Sequence, residues 1–332
     1  MGITASNLVI VLPVFNDVPC LVQLLKQLAD IFRAGEARLS LVIVDDGSLP
    51  PISESIAQIN GVFAGCLLTV KRNVGHQRAI AIGIAYAVEN VIADTMIVMD
   101  ADGEDRPSDV LRLLAAIENR GSSIVVAARA KRSENLVFRI LYQLYRLIFF
   151  SLTGYRINFG NFLVLPPVAA RRLANMGELW LSLPATILRS RVPIIYVPTE
   201  RGDRFHGESQ MNFVSLVIHG LRALAVFVES ALTRIILGAL ALLLLCGVAS
   251  AIAIIQKFLG VATPGWLTTV VGVSVVILLS SIILCFVSLA ISIAGGAQAI
   301  APPLETYRAL IANITELAAT PLSGRFQRPP AP

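Results

Sequence analysis

Between Ile235 and Ile300 the chain carries a single charged residue, Lys257. Two apolar runs fill that stretch, Leu232 to Ile255 and Leu267 to Ala290, each of 24 residues. A helix of about 20 apolar residues crosses the roughly 30 Å of hydrocarbon in a bilayer, so each run is long enough to span with some tilt. The segment between them, QKFLGVATPGW, has Pro264-Gly265 as its turn signal. A buried core helix is the competing reading, and two such runs with one charge between them count against it. The sequence therefore predicts a two-helix transmembrane hairpin over 232–292. Gly238, Gly247 and Gly272 are small positions that permit helix packing, and with it a homo-oligomer.

The rest of the chain divides by charge. Overall only 15% of the 332 residues are charged, against about 25% in an ordinary soluble domain. Residues 1–128 hold nine Lys/Arg and fourteen Asp/Glu, a net of −5, whereas residues 129–222 hold thirteen and five, a net of +8. A basic segment next to an apolar one suits an anionic membrane surface, and such a composition leaves no reason to expect a nucleic-acid partner. The positive-inside rule puts the basic segment, Arg234 and the tail residues Arg308, Arg325 and Arg328 in the cytoplasm. The expected location is thus the cytoplasmic membrane, with the globular part and both termini inside. No basic stretch precedes the first apolar run, so no signal peptide is expected. Cys20, Cys66, Cys246 and Cys285 are scattered, without metal or disulfide spacing. Residues 293–332 read as a cytoplasmic, partly disordered tail ending in RPPAP. Leu136–Leu152 and Val214–Glu229 have the pattern of amphipathic helices lying on the headgroup layer, with packing on a domain core as the alternative.

In the first half, apolar runs alternate with helical patterns. The runs are LVIVLPVF from Leu8, LSLVIVDDGS from Leu39, LLTVKRN from Leu67, TMIVMDADGED from Thr95 and SIVVAARA from Ser123. Strands alternating with helices imply a parallel-dominated α/β sheet. Ligands of such sheets bind at the carboxyl ends of the strands. Here those ends carry Asn16-Asp17, Asp45-Asp46, Arg72-Asn73, Asp100 to Asp102 and Arg129. Asp100 and Asp102, two residues apart after a buried strand, repel one another unless a cation lies between them. A hard divalent ion with phosphate oxygens fits that pair, and Glu104 or Asp105 could add a ligand. His76, His206 and His219 are too dispersed for a zinc cluster. His206 is the one to watch, because it lies in RGDRFHGES.

Five segments in order, VLPVFND, VIVDDGS, KRNVGHQRAIAIGIAYA, VMDADGEDRP and RGDRFHGESQMN, resemble the family-2 GT-A glycosyltransferases. Within these they are similar to the polyprenyl-phosphate branch, which includes dolichyl-phosphate mannose synthase and bactoprenol glucosyltransferases. The resemblance covers residues 8–230 and implies a GT-A catalytic domain over 1–212, a juxtamembrane amphipathic helix over 213–231, and then the hairpin. It implies that Pro13, Phe15 and Asp17 line the base and ribose pocket. Asp45 would bond the base with Asp46 beside it, and Asn73 and Gly75 would shape the loop over the nucleotide. Asp100, Asp102 and Glu104 would hold Mg2+ or Mn2+, with Glu104 where the family usually has Gln. Arg129 would reach a phosphate, and Arg204, with Gly207 and Ser209, would sit on a loop that closes over donor and acceptor. Asp102, Arg129 and Arg204 are thus the expected catalytic residues. Arg132, Arg156, Arg201, Arg204 and Ser209 are the candidates for the lipid phosphate. Asn158 and Asn161 stand where many relatives have an Asp. The implied reaction is inverting transfer from a nucleotide-diphosphate sugar to a polyprenyl phosphate. Alternatives are a diacylglycerol- or ceramide-type acceptor, a processive synthase, for which no QxxRW motif precedes Trp180 or Trp266, and a silent lipid-binding scaffold.

Overall fold

A computed structural model describes residues 7–32, 38–55, 63–117, 122–129, 136–207, 213–260, 265–296 and 300–318. They divide into two compact units. One takes its residues from 1–140, 157–226 and 300–332, the other from 141–156 and 227–299.

The first unit is built on an eight-stranded sheet of order β7-β5-β6-β4-β1-β2-β3-β8. Its first strands are β1 (Asn7–Val14), β2 (Arg38–Asp45), β3 (Ala64–Val70), β4 (Thr95–Val98) and β5 (Ile124–Arg129), which are the five apolar runs of the sequence. β1 pairs in parallel with β2 and β4, and β2 with β3. Leu8 to Leu12 are all buried, as expected of a central strand covered on both faces. Between these strands run α1 (Val18–Phe32), α2 (His76–Asn90) and α3 (Pro107–Ile117). α1 buries Leu21, Leu24, Leu25 and Leu28, one face at helical spacing, in the main core cluster.

Three strands lie beyond the five expected. β6 (Phe159–Leu165) enters antiparallel between β4 and β5, and β7 (Ile194–Thr199) runs parallel to β5. β8 (Ile311–Leu317) pairs antiparallel with β3. This last strand corrects the expected tail. Residues 300–318 are an ordered edge of the sheet, because β3 would otherwise leave its backbone N–H and C=O groups unpaired. Tyr307 anchors them: it is 2% exposed, donates to Glu89 at 2.5 Å, accepts from Asn90 at 3.1 Å and meets Tyr86 edge-on at 6.3 Å. Also in this unit are α5 (Pro167–Ala174), α6 (Leu183–Ser190) and α7 (Phe213–Ala225).

The second unit holds most of α4 (Leu136–Thr153) with α8 (Val228–Phe258) and α9 (Trp266–Gly296). α8 and α9 pack on one another, and both are long and apolar enough to cross a membrane. α8 begins at Val228 and not at 232, after a break at Val226-Phe227 that ends the expected 213–231 helix early. Arg234 closes α4: its Nη1 donates to the carbonyls of Phe150 at 3.1 Å and Ser151 at 3.0 Å, satisfying acceptors that a helix end leaves open. Gly154 makes that approach possible, since a Cβ there would lie 2.5 Å from Arg234 Nη2.

Removing the Tyr307 anchor tests the edge strand. Tyr307→Ala should cost about 3 kcal/mol or more, as for other buried aromatics. Thermal unfolding of the full chain should then fall by roughly 6 °C or more. An unchanged midpoint would mean that residues 300–318 do not hold β3.

Candidate active site

The strand ends bring five carboxylates and the loop after β7 to one place. Asp45 is fully buried, and its two oxygens accept from the backbone N–H of Ser48 at 2.9 Å and Ile52 at 3.1 Å. Asp46, 3% exposed, accepts from the N–H of Val74 at 2.7 Å and Gly75 at 3.0 Å, tying the end of β2 to the start of α2. Burial pushes its carboxyl up, and those two N–H groups pull it back. Both carboxylates are buried. In the structure Asp45 shapes the loop that follows β2. Pro13 is buried within β1 rather than at its end, whereas Phe15 (39% exposed) and Asn73 are open to solvent.

Asp100 and Asp102 flank the turn after β4. Asp105 accepts from the Asp100 N–H at 3.0 Å, and Asp102 Oδ1 accepts from Glu104 N–H at 3.0 Å. The loop after β7 lies on this turn. Gly202 N–H donates to Glu104 O at 2.8 Å, Phe205 N–H to Asp102 O at 2.9 Å, and Phe205 covers Gly103. A Cβ on Gly103 would meet the Phe205 ring at 2.7 Å, and its φ is +94°, so only glycine suits the turn. Arg204 then joins two strand ends. Its Nη1 donates to Asp102 Oδ2 at 2.9 Å, its Nη2 pairs with Asp17, and its Nε donates to His206 O at 2.9 Å. Burial, then the Asp100 charge, push the Asp102 carboxyl up, and Arg204 and the Glu104 N–H oppose them. Cys20, beside Asp17, also donates to His206 O at 3.6 Å, and burial and then Asp17 raise its thiol to about 11.

The Glu104 carboxylate pairs with Arg201. Among the described residues no three His, Cys, Asp or Glu side chains are grouped to hold a metal ion. Asp100 and Asp102 remain, and Mg2+ is commonly held by one or two carboxylates with substrate phosphates completing the shell. Two partly buried carboxylates, one of which raises the proton affinity of the other, fit such an ion.

The sequence singles out His206, whose backbone carbonyl accepts from Arg204 and Cys20, whereas the imidazole beside the aspartates is that of His76. Standing first in α2, His76 places Nε2 3.2 Å from Asp100 Oδ1 and 3.0 Å from Asn161 Nδ2. Burial lowers its proton affinity, but Asp100, Asp102 and Asp46 raise it by more. Asn161 in turn accepts from Gln77 Nε2 at 3.0 Å, and Gln77 accepts from the Leu183 N–H at 2.8 Å at the start of α6. Gln77 is 2% exposed, so this chain of amides is a buried mount for the imidazole. The available signal was position alone: a histidine directly after a strand-end loop. Among the lipid-phosphate candidates, Arg156 belongs to the second unit and stacks on Phe150 at 4.7 Å. Arg132 and Ser209 lie outside the described residues, as does the side chain of Arg129.

The family model for glycosyl transferase family 2 matches residues 9–174, half of the chain, and takes in every strand end described above up to β6. The chain belongs to that family. It is 22% identical over 214 residues to an undecaprenyl-phosphate 4-deoxy-4-formamido-L-arabinose transferase of Salmonella choleraesuis (strain SC-B67), covering 63% of each protein. A protein of the same description from Pseudomonas savastanoi pv. phaseolicola is 31% identical over 128 residues, 38% of this chain and 36% of that one. The matches thus span less than two thirds of these relatives. Among solved structures, glucosyl-3-phosphoglycerate synthase from Mycobacterium tuberculosis in complex with phosphoglyceric acid superposes with a TM-score of 0.50 at 13% identity, over 68% of this chain and 80% of that one. The fold is GT-A, a mostly parallel sheet followed in sequence by two apolar helices.

Gly103→Ala should push Phe205 off the turn and force an unfavourable backbone, at a cost of roughly 1–3 kcal/mol. Limited proteolysis should then cut within 201–207 faster than in the wild type. Equal cleavage rates would mean that the turn does not hold this loop.

Proposed function

We propose that this chain transfers a sugar from a nucleotide-diphosphate sugar to a polyprenyl phosphate, with inversion, at the cytoplasmic face of a membrane. The observation that carries the reading is Arg204 shared between Asp17 and Asp102 at the ends of β1 and β4. A guanidinium held by the side chains of two strand ends, with one further bond to the His206 carbonyl of its own loop, is a detachable counter-charge. It neutralises the aspartates in the free protein and is placed to turn to phosphate oxygens when the donor enters. Mg2+ or Mn2+, held by Asp100 and Asp102, would supply positive charge on the diphosphate as it leaves.

The acceptor needs little activation. A phosphate monoester has its second pKa near about 6 and is ionised at neutral pH. An oxygen of that phosphate attacks the anomeric carbon, the bond to the diphosphate breaks, and the nucleoside diphosphate departs with the electron pair. No general base is required. This agrees with amides at 158 and 161, and Asn161 instead steadies His76 against Asp100. The curated relatives are named for transfer to undecaprenyl phosphate, which supports a polyprenyl acceptor. α8 and α9 support the membrane location. Two consecutive helices of that length support a hairpin that leaves and re-enters on one side.

Purified protein given polyprenyl phosphate, Mg2+ and a panel of radiolabelled nucleotide sugars should yield a lipid-linked sugar, identified by mass spectrometry. Asp102→Asn should lower turnover by about 100-fold or more, the scale of losing one electrostatic contact to the transition state. A variant near the wild-type rate would remove Asp102 from the reaction. A labelled diacylglycerol or ceramide in place of the polyprenyl product would reassign the acceptor.

A further inference from the structure

Most described arginines near the strand ends are already paired: Arg201 with Glu104, Arg204 with Asp17 and Asp102, Arg106 with Glu200, and Arg112 with Asp109. Arg222 on α7 is different. It is exposed, and no carboxylate among the described residues pairs with it. Its Nη1 lies 3.8 Å from where a Cβ of Gly75 would stand. Gly75 caps α2, a 15-residue helix, with no side-chain cap and a φ of +93°. Three residues earlier on the same helix face, His219 lies close enough to His76 and Asp100 to respond to their charges.

We infer that Arg222 and His219, facing Gly75 and His76 at the start of α2, form a subsite for the phosphate monoester of the acceptor. A free guanidinium, an imidazole and the positive end of a helix dipole converge there, and each favours an anion. In the free protein, burial, His76 and Arg222 lower the proton affinity of His219, against the pull of Asp100. The donor side of the site is the Asp17–Arg204–Asp102 cluster, whose arginine is engaged. α7 also ends at Ala225, three residues before the bilayer-length α8 begins at Val228. A phosphate held on α7 is therefore carried by the stretch of chain that leads into the apolar helices, where a lipid headgroup would be met. The inference rests on the function proposed above for the identity of the acceptor.

The experiment uses the full chain in detergent. Arg222→Ala should raise the KM for polyprenyl phosphate about ten-fold or more, the effect of one charge-assisted hydrogen bond of roughly 1.4 kcal/mol. The KM for the nucleotide sugar should stay within two-fold of wild type, roughly 0.4 kcal/mol. Arg222→Lys should recover part of the loss, and His219→Asn should show a smaller loss of the same kind. Calorimetry separates this inference from the function itself. Wild-type protein should bind polyprenyl phosphate more tightly than the matching alcohol, and Arg222→Ala should abolish that preference whether or not turnover is found. Inorganic phosphate should compete with the lipid phosphate in the wild type and not in Arg222→Ala. A parallel rise in the donor KM would give Arg222 to the diphosphate and overturn the inference. So would an equal loss of binding to phosphatidylglycerol vesicles, which would make α7 a general membrane contact, and so would unchanged constants.

Discussion

Carboxylates gathered at the carboxyl edge of one sheet are the constraint on which this structure depends. Like charges so close together raise the free energy of the fold unless each finds a partner. The chain resolves this in two ways. Asp45, Asp46 and Asp105 accept backbone N–H groups of the loops that follow β2, β3 and β4, and so become the struts that shape those loops. Asp17 and Asp102 share Arg204, which comes from a distant loop. The first solution is permanent, since breaking it would bury unpaired groups. The second is reversible, because side chains can part and leave both aspartates partly exposed. Only the reversible pairs can be offered to a substrate, so the division between scaffold and site follows from which partner each carboxylate has.

The same division explains how much of the site the sequence revealed. Five apolar runs ending in polar residues placed β1 to β5 and the face on which they converge. A strand buried on both sides leaves an unbroken apolar run, and its end is marked by the first charge. β6, β7 and β8 leave no such trace. β7 is half-exposed and contains Pro198, and β8, on the outer edge of the sheet, has Ile311, Ile314 and Leu317 spaced three apart, neither an unbroken apolar run nor a period of two. β8 is also separated from β3 by both apolar helices, so no local pattern could tie it back. Roles within the site were less legible than its location. Asp45 and Asp46 look alike in sequence to Asp100 and Asp102, and only the loop backbone decides which are consumed. His76 could not be weighted above His206, since what distinguishes it is the Gln77–Asn161 mount, assembled from α2 and β6.

The basic excess of residues 129–222 follows a similar logic. Read along the chain, a net of +8 suggests one surface turned toward anionic lipid. In the fold several of these cations have partners within the chain. Arg189 joins Glu178 at 2.8 Å, Arg201 joins Glu104, and Arg204 serves the aspartate pair. Arg171 and Arg172 occupy the last turn of α5, where positive charge complements the helix dipole. A segment can therefore be basic because an acidic neighbour needs its cations, without the whole excess facing outward. For phosphate recognition the number of arginines in a segment matters less than the few left without a carboxylate. A guanidinium that must first leave one anion to bind another gains only the difference between the two interactions. An unpaired guanidinium keeps nearly all of its affinity for the incoming phosphate. By that measure Arg204, engaged with Asp17 and Asp102, and Arg222, beside Gly75, are not equivalent cations.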